Sequence, residues 1–303
     1  MTDEVFHEHR KLLFSVAYRL LGTAADAEDA VQDAWIKWSA ADRSQVADPK
    51  AYLTRIVSNL ALERLRSTRH KREVYVGPWL PEPILTARDS VRDASEAVAD
   101  AESVSTAMLV VLETLSPLER AVFVLKEVFG FSHAEIAEAV ERSEAAVRQA
   151  AHRAREHVRA RRPRFAADRS RQREVTERFF AAATGGDVNA LMELLSPDVT
   201  LWTDGGGKVR QALRPVVGSA TVANWFAAIG TVTYQGIEPA DMKAELVEIN
   251  GGPGLVFSGP GRVIATVTFD VDADGRITAL HNVANPDKLR AVADGTTYDI
   301  GTR

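Results

Sequence analysis

Hydrophobic residues in the first part of the chain recur every three or four positions, which is the period of an amphipathic helix. One stripe ends at Gly22, a second covers residues 27–38, and a third follows Asp48-Pro49. The sequence up to residue 72 therefore predicts a bundle of helices. The third helix runs into a basic end that contains Arg64, Arg66, Arg69, Lys71 and Arg72.

A linker of different composition is predicted at residues 73–102. The stretch YVGPWLPEPILT contains three prolines and one glycine, so regular structure is not expected there. Trp79, Leu80 and Ile84 are large and apolar, and a pure spacer would not need them. We therefore expect the linker to dock on another part of the protein. An acidic stretch, residues 89–102, follows it.

Helical periodicity returns in residues 103–164. Ser116-Pro117-Leu118-Glu119 combines an N-cap serine, a proline at the first helical position and the glutamate of a capping box. Such a combination is a strong helix start. Gly130 is expected to end this helix, because glycine readily adopts the backbone conformation that terminates helices.

A helix-turn-helix is predicted between Gly130 and Arg164. Ser132 and Glu135 form a capping box that begins its first helix, and Ser143 can cap the second. Small residues on the inner side of the second helix let the two helices approach. Long polar residues project outward, as a DNA-reading helix requires. The inner residues are Val147, Ala151 and Ala154.

Charge is distributed unevenly along the 303 residues. The net charge is −5, but residues 144–173 contain ten arginines and three acidic residues, a local charge of +7. From residue 174 onward there are 10 basic and 16 acidic residues. Because salt screens charges beyond about 10 Å, the local basic stripe governs the affinity for nucleic acid, not the net charge.

Several classes of protein are disfavoured by composition. The chain has no cysteine, which excludes disulfides and thiolate metal sites. No apolar run approaches the roughly 20 residues of a membrane span. The N-terminal stretch MTDEVFHEHRKLLF is unlike a signal peptide. We therefore expect a cytoplasmic protein that does not bind a membrane and needs neither a cofactor nor a metal.

Residues 172–303 predict a domain of another kind. A helix ends at Gly185-Gly186 and a second begins at Asp187, after which strand-like runs alternate with turns. A turn at residues 272–275 is expected to join the last two runs as a hairpin. Helices followed by a meandering sheet favour an α+β domain. The runs are VTLWT, TVTYQGI, KAELVEI, GLVFSG, RVIATVTFDV and RITALHNV.

Two motifs in this region imitate ligand sites and are interpreted as turns. Asp270, Asp272 and Asp274 are spaced like the start of a calcium loop, but His281 stands where the bidentate glutamate belongs. The run DGGGK at residues 204–208 lacks the further residues of a phosphate-binding loop. We expect it to be a turn that contacts the linker or the first helices.

Two long motifs resemble the bacterial extracytoplasmic-function sigma factors. DAEDAVQDAWIKW followed by DPKAYLTRIVSNLALERLRS is similar to their σ2 domain. LSPLERAVFVLKEVFGFSHAEIAEAVERSEAAVRQAAHRAR is similar to their σ4 domain. WLPEP, DGGGK and NPDKL are similar to marks of the subgroup with a C-terminal SnoaL-like domain of the NTF2 superfamily.

The resemblance implies a multidomain fold with two all-α domains, a σ2 helical bundle and a σ4 helix-turn-helix, followed by an α+β NTF2-like cone. The implied segments are σ2 at residues 1–72, the linker at 73–102, σ4 at 103–164 and the SnoaL-like domain at 172–303. It also implies core RNA polymerase and promoter DNA as partners.

In this family σ2 binds core polymerase and opens the −10 element. The loop from Ala40 to Lys50 matches the place where a flipped base is captured, and polar contacts would have to dominate there. The predicted polymerase-binding residues are Asp26, Asp29, Asp33 and Trp35. The predicted −10 residues are Tyr52, Asn59, Arg66 and Arg69.

In this family σ4 reads the −35 element. Arg148 and Gln149 are the base-reading candidates, because arginine pairs bidentately with guanine and glutamine with adenine. Other residues of the same helix are expected to hold phosphates or to begin the helix. The predicted −35 residues are Ser143, Arg148, Gln149, His152, Arg153 and Arg155.

For the C-terminal domain the resemblance implies regulation in cis. The domain would pack against the linker and set the separation of σ2 and σ4, so no obligate anti-sigma factor is expected. The predicted regulatory residues are Trp79, Leu80, Pro81, Asp204, Lys208, Asn285, Pro286 and Asp287.

Two alternatives remain open. The protein could be a one-component helix-turn-helix regulator that binds duplex DNA alone and senses a small ligand with its C-terminal domain. That domain could instead be an enzyme fused to a DNA anchor, although we expect no enzymatic activity. The helices before residue 72 favour a sigma factor, because a simple repressor does not need them. The groups available for catalysis are Asp204, Tyr234, Asp241 and His281.

Overall fold

A computed structural model of the protein describes residues 2–86, 104–161, 167–229 and 232–300. The chain forms two compact units. We call them the helical unit, with Met1–Glu73, Val91–Arg162 and Asp299–Arg303, and the sheet unit, with Val74–Ser90 and Pro163–Tyr298. The described part of the linker thus belongs to the sheet unit. The division into four segments stays a prediction, and the acidic stretch at residues 89–102 lies outside the described residues.

Three helices form the first part of the helical unit. As predicted, Gly22 ends the first of them, with a φ of 74° and an N–H that donates to the Tyr18 carbonyl at 2.8 Å. The Asp48 carboxylate accepts the N–H of Ala51 at 3.0 Å and so caps the third. These helices are α1 (Thr2–Leu21), α2 (Ala24–Ala40) and α3 (Pro49–Glu73).

Within residues 104–161, the described range of the second part of the helical unit, the chain forms four helices. Both predicted capping boxes are present, at Ser116 with Glu119 and at Ser132 with Glu135. The second helix continues as one π-helical turn, Val124–Val128. The helices are α4 (Thr106–Glu113), α5 (Pro117–Phe123), α6 (His133–Ala139) and α7 (Glu144–Arg161).

The two parts of the helical unit pack against each other, with α3 contacting both α5 and α6. Arg120 on α5 is 3% exposed. Its guanidinium donates to the Leu20 carbonyl at 2.7 Å and to the Glu113 carboxylate at 2.6 Å. A helix C-terminus has unpaired carbonyls and a partial negative charge, so a buried cation is stabilised at this end of α1.

The sheet unit packs its helices on one sheet. Gly186, with a φ of 67°, ends α8, and the Asp187 carboxylate caps α9, both as predicted. Phe179 lies edge-to-face with Phe226 and Phe269, with ring centroids 5.0 and 4.9 Å away. The helices are α8 (Arg169–Gly185), α9 (Val188–Leu194), α10 (Ser219–Ile229) and α11 (Arg290–Ala293).

The described part of the sheet unit has a sheet of eight strands in the order β3-β2-β7-β6-β5-β4-β1-β8. Strands β4 to β7 form the predicted meander, and the predicted hairpin joins β6 to β7 through residues 272–275. The strands are β1 (Leu85–Thr86), β2 (Leu195–Asp204), β3 (Val216–Val217), β4 (Lys243–Ile249), β5 (Gly252–Gly259), β6 (Arg262–Val271), β7 (Ile277–Val283) and β8 (Thr297–Tyr298).

One expectation for the sheet unit is corrected, and one helix was not expected. The run TVTYQGI was expected to be a strand, but its described part forms a turn in which Gln235 and Gly236 have φ values of 51° and 78°. A strand cannot continue through two residues of positive φ. Helix α10 was not predicted, because its valine, tryptophan and phenylalanine are equally common in strands.

None of the described helices is long and apolar enough to cross a membrane. Likewise, in the described ranges no cluster of three or more histidine or carboxylate side chains has the geometry of a metal site.

Candidate nucleic-acid interface and linker dock

The DNA-reading candidates lie on the outer face of α7. Val147, Ala151 and Ala154 are buried, as predicted, whereas all six predicted −35 residues are exposed. The Ser143 hydroxyl accepts the N–H of Ala146 at 3.3 Å, so this residue caps the helix. One face of α7 thus packs on the unit and the other is available to a partner.

Acidic neighbours hold the arginines of α7. Arg153 Nε lies 2.7 Å from the Glu119 carboxylate, and Arg155 Nε lies 3.0 Å from that of Glu127. Both arginine side chains remain about half exposed, at 51% and 45%. Arg148 pairs with Glu144 one turn earlier on the same helix. A phosphate group offers arginine the same bidentate geometry as a carboxylate.

The predicted −10 residues lie along α3. Tyr52 is half-buried with its ring centroid 5.9 Å from that of Trp38, and Arg66 is exposed. Asn59 Nδ2 donates to the Glu141 carboxylate, in the turn of the helix-turn-helix, at 3.4 Å. The side chain of Arg69 lies outside the described residues. Sequence reasoning missed Arg55, which is exposed and lies 5.2 Å above the Tyr52 ring.

The loop between α2 and α3 is polar, as expected for residues 40–50. It contains one short 3-10 turn at Arg43–Gln45. The Asp42 carboxylate accepts both the N–H and the hydroxyl of Ser44, at 3.1 and 2.7 Å. These bonds shape the loop locally.

The predicted polymerase-binding residues share α2 but differ in their surroundings. Asp29 is exposed, whereas Asp26 accepts the Thr23 hydroxyl at 2.6 Å and Asp33 pairs with Arg64 at 2.6 Å. Trp35 is half-buried, 5.0 Å from the Phe6 ring. Asp29 is therefore the carboxylate of the three that offers most to a partner.

The linker docks in the sheet unit around one buried carboxylate. Asp204, at the end of β2, has no exposed surface. It accepts the Tyr75 hydroxyl at 2.6 Å, the N–H of Leu80 at 2.9 Å and the N–H of Gly206 at 3.1 Å. Three donors and one cation satisfy this charge, which would otherwise be costly to bury.

The cation is Lys288, which sequence reasoning did not select although it lies in the NPDKL motif. Its ammonium lies 2.7 Å from Asp204 and donates to the Leu80 carbonyl at 2.5 Å. It also lies 4.0 Å from the Trp79 ring centroid and 4.9 Å from that of Tyr75. Burial and the adjacent Asp204 carboxylate raise the pKa of Tyr75, so its hydroxyl stays protonated and donates.

The other predicted regulatory residues surround this linker dock. Asn285 donates to the Tyr75 hydroxyl at 2.8 Å, and Pro286 begins the 3-10 turn that positions Lys288. Lys208 pairs with Asp287 at 2.6 Å, and this hydrogen bond lowers the pKa of Asp287. Pro81 is buried. The structure thus brings all eight together, while their regulatory role stays a prediction.

Gly206 shows why the DGGGK turn needs glycine. Its φ is +60°, and a Cβ there would lie 2.2 Å from the Asn285 carboxamide. Only glycine tolerates both the conformation and the close approach. Gly207 of this turn lies against Val76 of the linker. Of the two contacts expected for the turn, with the linker or with the first helices, the contact with the linker is present.

The groups considered for catalysis do not converge. Asp204 is in the linker dock, Tyr234 bonds with Gln211, Asp241 is exposed, and His281 lies 3.3 Å from Asp270. Within the described ranges, no hydrogen bond joins any two of the four. The small cavity beside Tyr234 and Asn282 has an interior of about 10 Å³, room for roughly one water.

A helix-turn-helix with an exposed basic helix, preceded by a helical bundle with an acidic face, defines a DNA-binding transcription protein. Residues 5–71 match the family Sigma-70 region 2, and residues 105–158 match Sigma-70, region 4. The extracytoplasmic-function (ECF) RNA polymerase sigma factor SigJ of Mycobacterium tuberculosis is 43% identical over 291 residues, covering 94% of this chain and 92% of SigJ. The chain therefore belongs to the ECF sigma factors.

Solved structures extend this comparison. The crystal structure of Mycobacterium tuberculosis SigJ is similar with a TM-score of 0.74 and 38% identity, covering 96% of this chain and 99% of that one. The predicted fold class is thus confirmed. The Bartonella quintana sigma factor RpoE, solved with its anti-sigma factor NepR, covers 52% of this chain and 91% of its own, with a TM-score of 0.37 and 22% identity.

Proposed function

We propose that this sigma factor binds core RNA polymerase and directs it to promoters, with σ2 opening the −10 element and σ4 reading the −35 element. The observation that carries this proposal is the two-sidedness of α7. Its small residues are buried and all predicted −35 residues are exposed. A helix placed in this way can enter the major groove without rearranging the domain.

At the −35 element, Arg148 and Gln149 read base edges, and Arg153 and Arg155 hold phosphates. The exposed ion pairs on α7 support this division of roles. Such pairs contribute little stability in water, so exchanging a carboxylate for a phosphate costs little. His152 is exposed on the same face and completes the contact set.

At the −10 element, Tyr52, Asn59, Arg66 and Arg69 contact the opened strand, and Arg55 joins them. The Arg55 guanidinium over the Tyr52 ring supports its inclusion. Stacked aromatic and arginine side chains are a common platform for unpaired bases. Core polymerase binds the acidic face of α2. This face contains Asp26, Asp29, Asp33 and Trp35, and Asp29 is the most exposed of its three carboxylates.

The C-terminal domain regulates the factor in cis through the linker dock. The supporting observation is that Leu80 offers both its N–H and its carbonyl to the buried pair of Asp204 and Lys288. The dock fixes the linker that joins σ2 to σ4, and therefore restricts their separation. The protein acts in the cytoplasm, where polymerase is, and has no catalytic activity of its own.

Whether a separate inhibitor is also needed is a further part of the proposal. We infer that no obligate anti-sigma factor is required, because the dock already restrains the linker. The RpoE–NepR complex shows that another sigma factor does bind such a partner. A pull-down with the full chain as bait tests this part of the proposal. It would be contradicted by a stoichiometric protein partner whose removal leaves transcription unregulated.

The test is run-off transcription on fragmented genomic DNA, with RNA sequencing to locate the start sites. Core polymerase alone, core with the full chain, and core with the Arg148→Ala variant are compared. We expect new starts that share upstream elements, and their loss or redistribution in the variant. No new starts under conditions in which another sigma factor works would overturn the proposal.

The one-component regulator is the rival. It predicts a sequence-specific footprint on duplex DNA without polymerase, and a C-terminal pocket for a ligand. The cavity beside Tyr234 is too small for a metabolite as it stands. A specific footprint by the chain alone, unchanged when polymerase is added, would favour the rival.

A further inference from the structure

The last residues of the chain pack in the helical unit. We call Asp299 and Ile300 the C-terminal tail. Ile300 is 8% exposed, and its carbonyl accepts a hydrogen bond from Arg19 Nη2 at 3.0 Å. The Asp299 carboxylate lies 2.9 Å from the Lys11 ammonium. Both partners are on α1, so the tail lies along the first helix of σ2.

Arg19 connects this tail to σ4. The residue is completely buried, and its guanidinium also donates to the Ser15 carbonyl and hydroxyl, at 3.2 and 2.7 Å. The same guanidinium lies 5.3 Å from the ring centroid of Phe129, just after the π-helical turn of σ4. A buried guanidinium is stable only when its donors are satisfied. The tail supplies one of those acceptors.

In this arrangement σ2 and σ4 pack directly on each other. Arg120 of σ4 donates to the end of α1, and Asn59, a −10 candidate, donates to Glu141 in the turn of the helix-turn-helix. The −10 and −35 elements are centred about 25 base pairs apart, or roughly 85 Å of duplex. In this packed form the −10 candidate Asn59 is engaged with Glu141 in the turn of the helix-turn-helix, so we expect σ2 and σ4 to separate on a promoter, where each contacts its own element.

The tail is also connected to the linker. It continues directly from β8, and β8 pairs in parallel with β1 of the linker, with Leu85 opposite Thr297 and Thr86 opposite Tyr298. The linker strand is held in turn by Asn250, which accepts the N–H of Ile84 at 3.2 Å. A displacement of the docked linker would therefore move the strand from which the tail emerges.

We propose that the C-terminal tail is an intramolecular latch, which holds σ2 and σ4 together through Arg19 and is released when the β1–β8 pair moves. The regulatory role of the latch rests on the proposed function, since only a sigma factor needs to separate σ2 from σ4. The existence of the latch is a property of the free chain, and it is tested without polymerase or DNA.

The experiment measures the distance between σ2 and σ4 by electron spin resonance. Because the chain has no cysteine, Ala40→Cys and Ala160→Cys, both at exposed positions, give two unique labelling sites. The doubly labelled full chain is compared with the same chain ending at Tyr298. Loss of a hydrogen bond to a buried cation should raise the population of long distances at least about tenfold.

Two controls and one rescue experiment separate the latch from other effects. A chain ending at Ile300 keeps both tail contacts and should match the full chain. Lys11→Ala removes only an exposed ion pair and should raise the long-distance population less than about fivefold. Adding the peptide DIGTR in excess to the chain ending at Tyr298 should restore the short distance.

The outcomes decide the proposal. An unchanged distance distribution in the chain ending at Tyr298 would overturn it. So would loss of helical circular dichroism in that chain, because the tail would then be a structural part of σ2 and not a latch. Normal transcription by the full chain combined with either result would reject the latch and leave the proposed function intact.

Discussion

The arginines of α7 and the lysine of the linker dock both pair with carboxylates, but in different surroundings. Arg153 and Glu119 lie 2.7 Å apart with the arginine side chain 51% exposed. Lys288 and Asp204 also lie 2.7 Å apart, with exposures of 8% and 0%. Water solvates the first pair when it opens, whereas opening the second leaves two charges desolvated. Equal distances therefore imply very different costs of opening.

This difference suits two functions. A DNA-reading face must exchange its partners each time it binds and leaves a promoter, which exposed pairs allow. A dock that restrains a linker must stay closed against thermal motion, which a buried and fully bonded pair ensures. We therefore expect regulation to act through the docked linker, by moving the sheet edge that holds it, and not by pulling Leu80 away from Asp204.

The largest effect is expected for Lys288→Met. The variant leaves the Asp204 carboxylate buried without its cation, which typically costs about 3–5 kcal/mol. Hydrogen exchange of the Leu80 amide, which donates to Asp204, measures the loss as faster opening. Lys208→Met is the matched control, because its pair with Asp287 is about half exposed and should contribute less than about 1 kcal/mol. Equal protection of the Leu80 amide in both variants would show that the buried and the exposed ion pair contribute equally to the dock.

Next in size is Arg148→Ala. Loss of a bidentate contact to a base should cost about 1–3 kcal/mol of −35 recognition. Holoenzyme binding to a promoter fragment and to the same fragment with an altered −35 element separates specific from general loss. Arg159 is exposed near the end of α7 and is expected to hold a phosphate, so Arg159→Ala should instead weaken both fragments alike and reduce the salt slope by about 0.9. An Arg148→Ala holoenzyme that still distinguishes the two fragments would exclude the base-reading role.

A smaller effect is expected for Trp79→Ala. The indole covers the Lys288 ammonium at 4.0 Å, and such a contact in a partly desolvated site contributes about 1–2 kcal/mol. Loosening the dock should change the basal level of transcription. Trp79→Phe keeps a ring over the cation and should restore most of the wild-type level. Unaltered transcription at strong and weak promoters in the alanine variant would show that the dock does not regulate.

The sequence predicted the elements that depend on local chemistry. The capping boxes at Ser116 and Ser132, the glycine that ends α1 and the inner face of α7 are all set by residues within a few positions of each other. The contacts made by Lys288 and Arg19 were not predicted, because their partners lie 208 and 281 positions away. Motif resemblance placed Asp204 and Trp79 near each other, but only the folded structure shows that Lys288 contacts both.

The smallest effect is expected for Glu119→Gln. This variant tests the exposed pair of Glu119 and Arg153, as Lys288→Met tests the buried pair. The variant frees Arg153, so free duplex DNA should bind up to about fivefold more tightly. Glu138→Gln, on the exposed surface of α6, removes the same charge without freeing an arginine and serves as the control. Fluorescence anisotropy with a labelled duplex at low salt measures both. Equal gains in the two variants would mean that only net charge matters.

The pH dependence of this last effect follows from the pKa of Glu119. Burial acts to raise that pKa, but hydrogen bonds from Arg153 and Ser116 outweigh it and lower the pKa below its usual range. A carboxylate whose pKa is lowered stays ionised, and keeps its ion pair, at every pH above its normal pKa. It loses the pair only as the pH falls through the lowered pKa. The difference between wild type and Glu119→Gln should therefore stay constant from about pH 5.5 to about pH 8. If the difference in DNA affinity vanished within this range, Arg153 would not be held by an ionised Glu119. The pair of Arg153 and Glu119 could then not serve as the exposed, exchangeable pair in the comparison with Lys288 and Asp204.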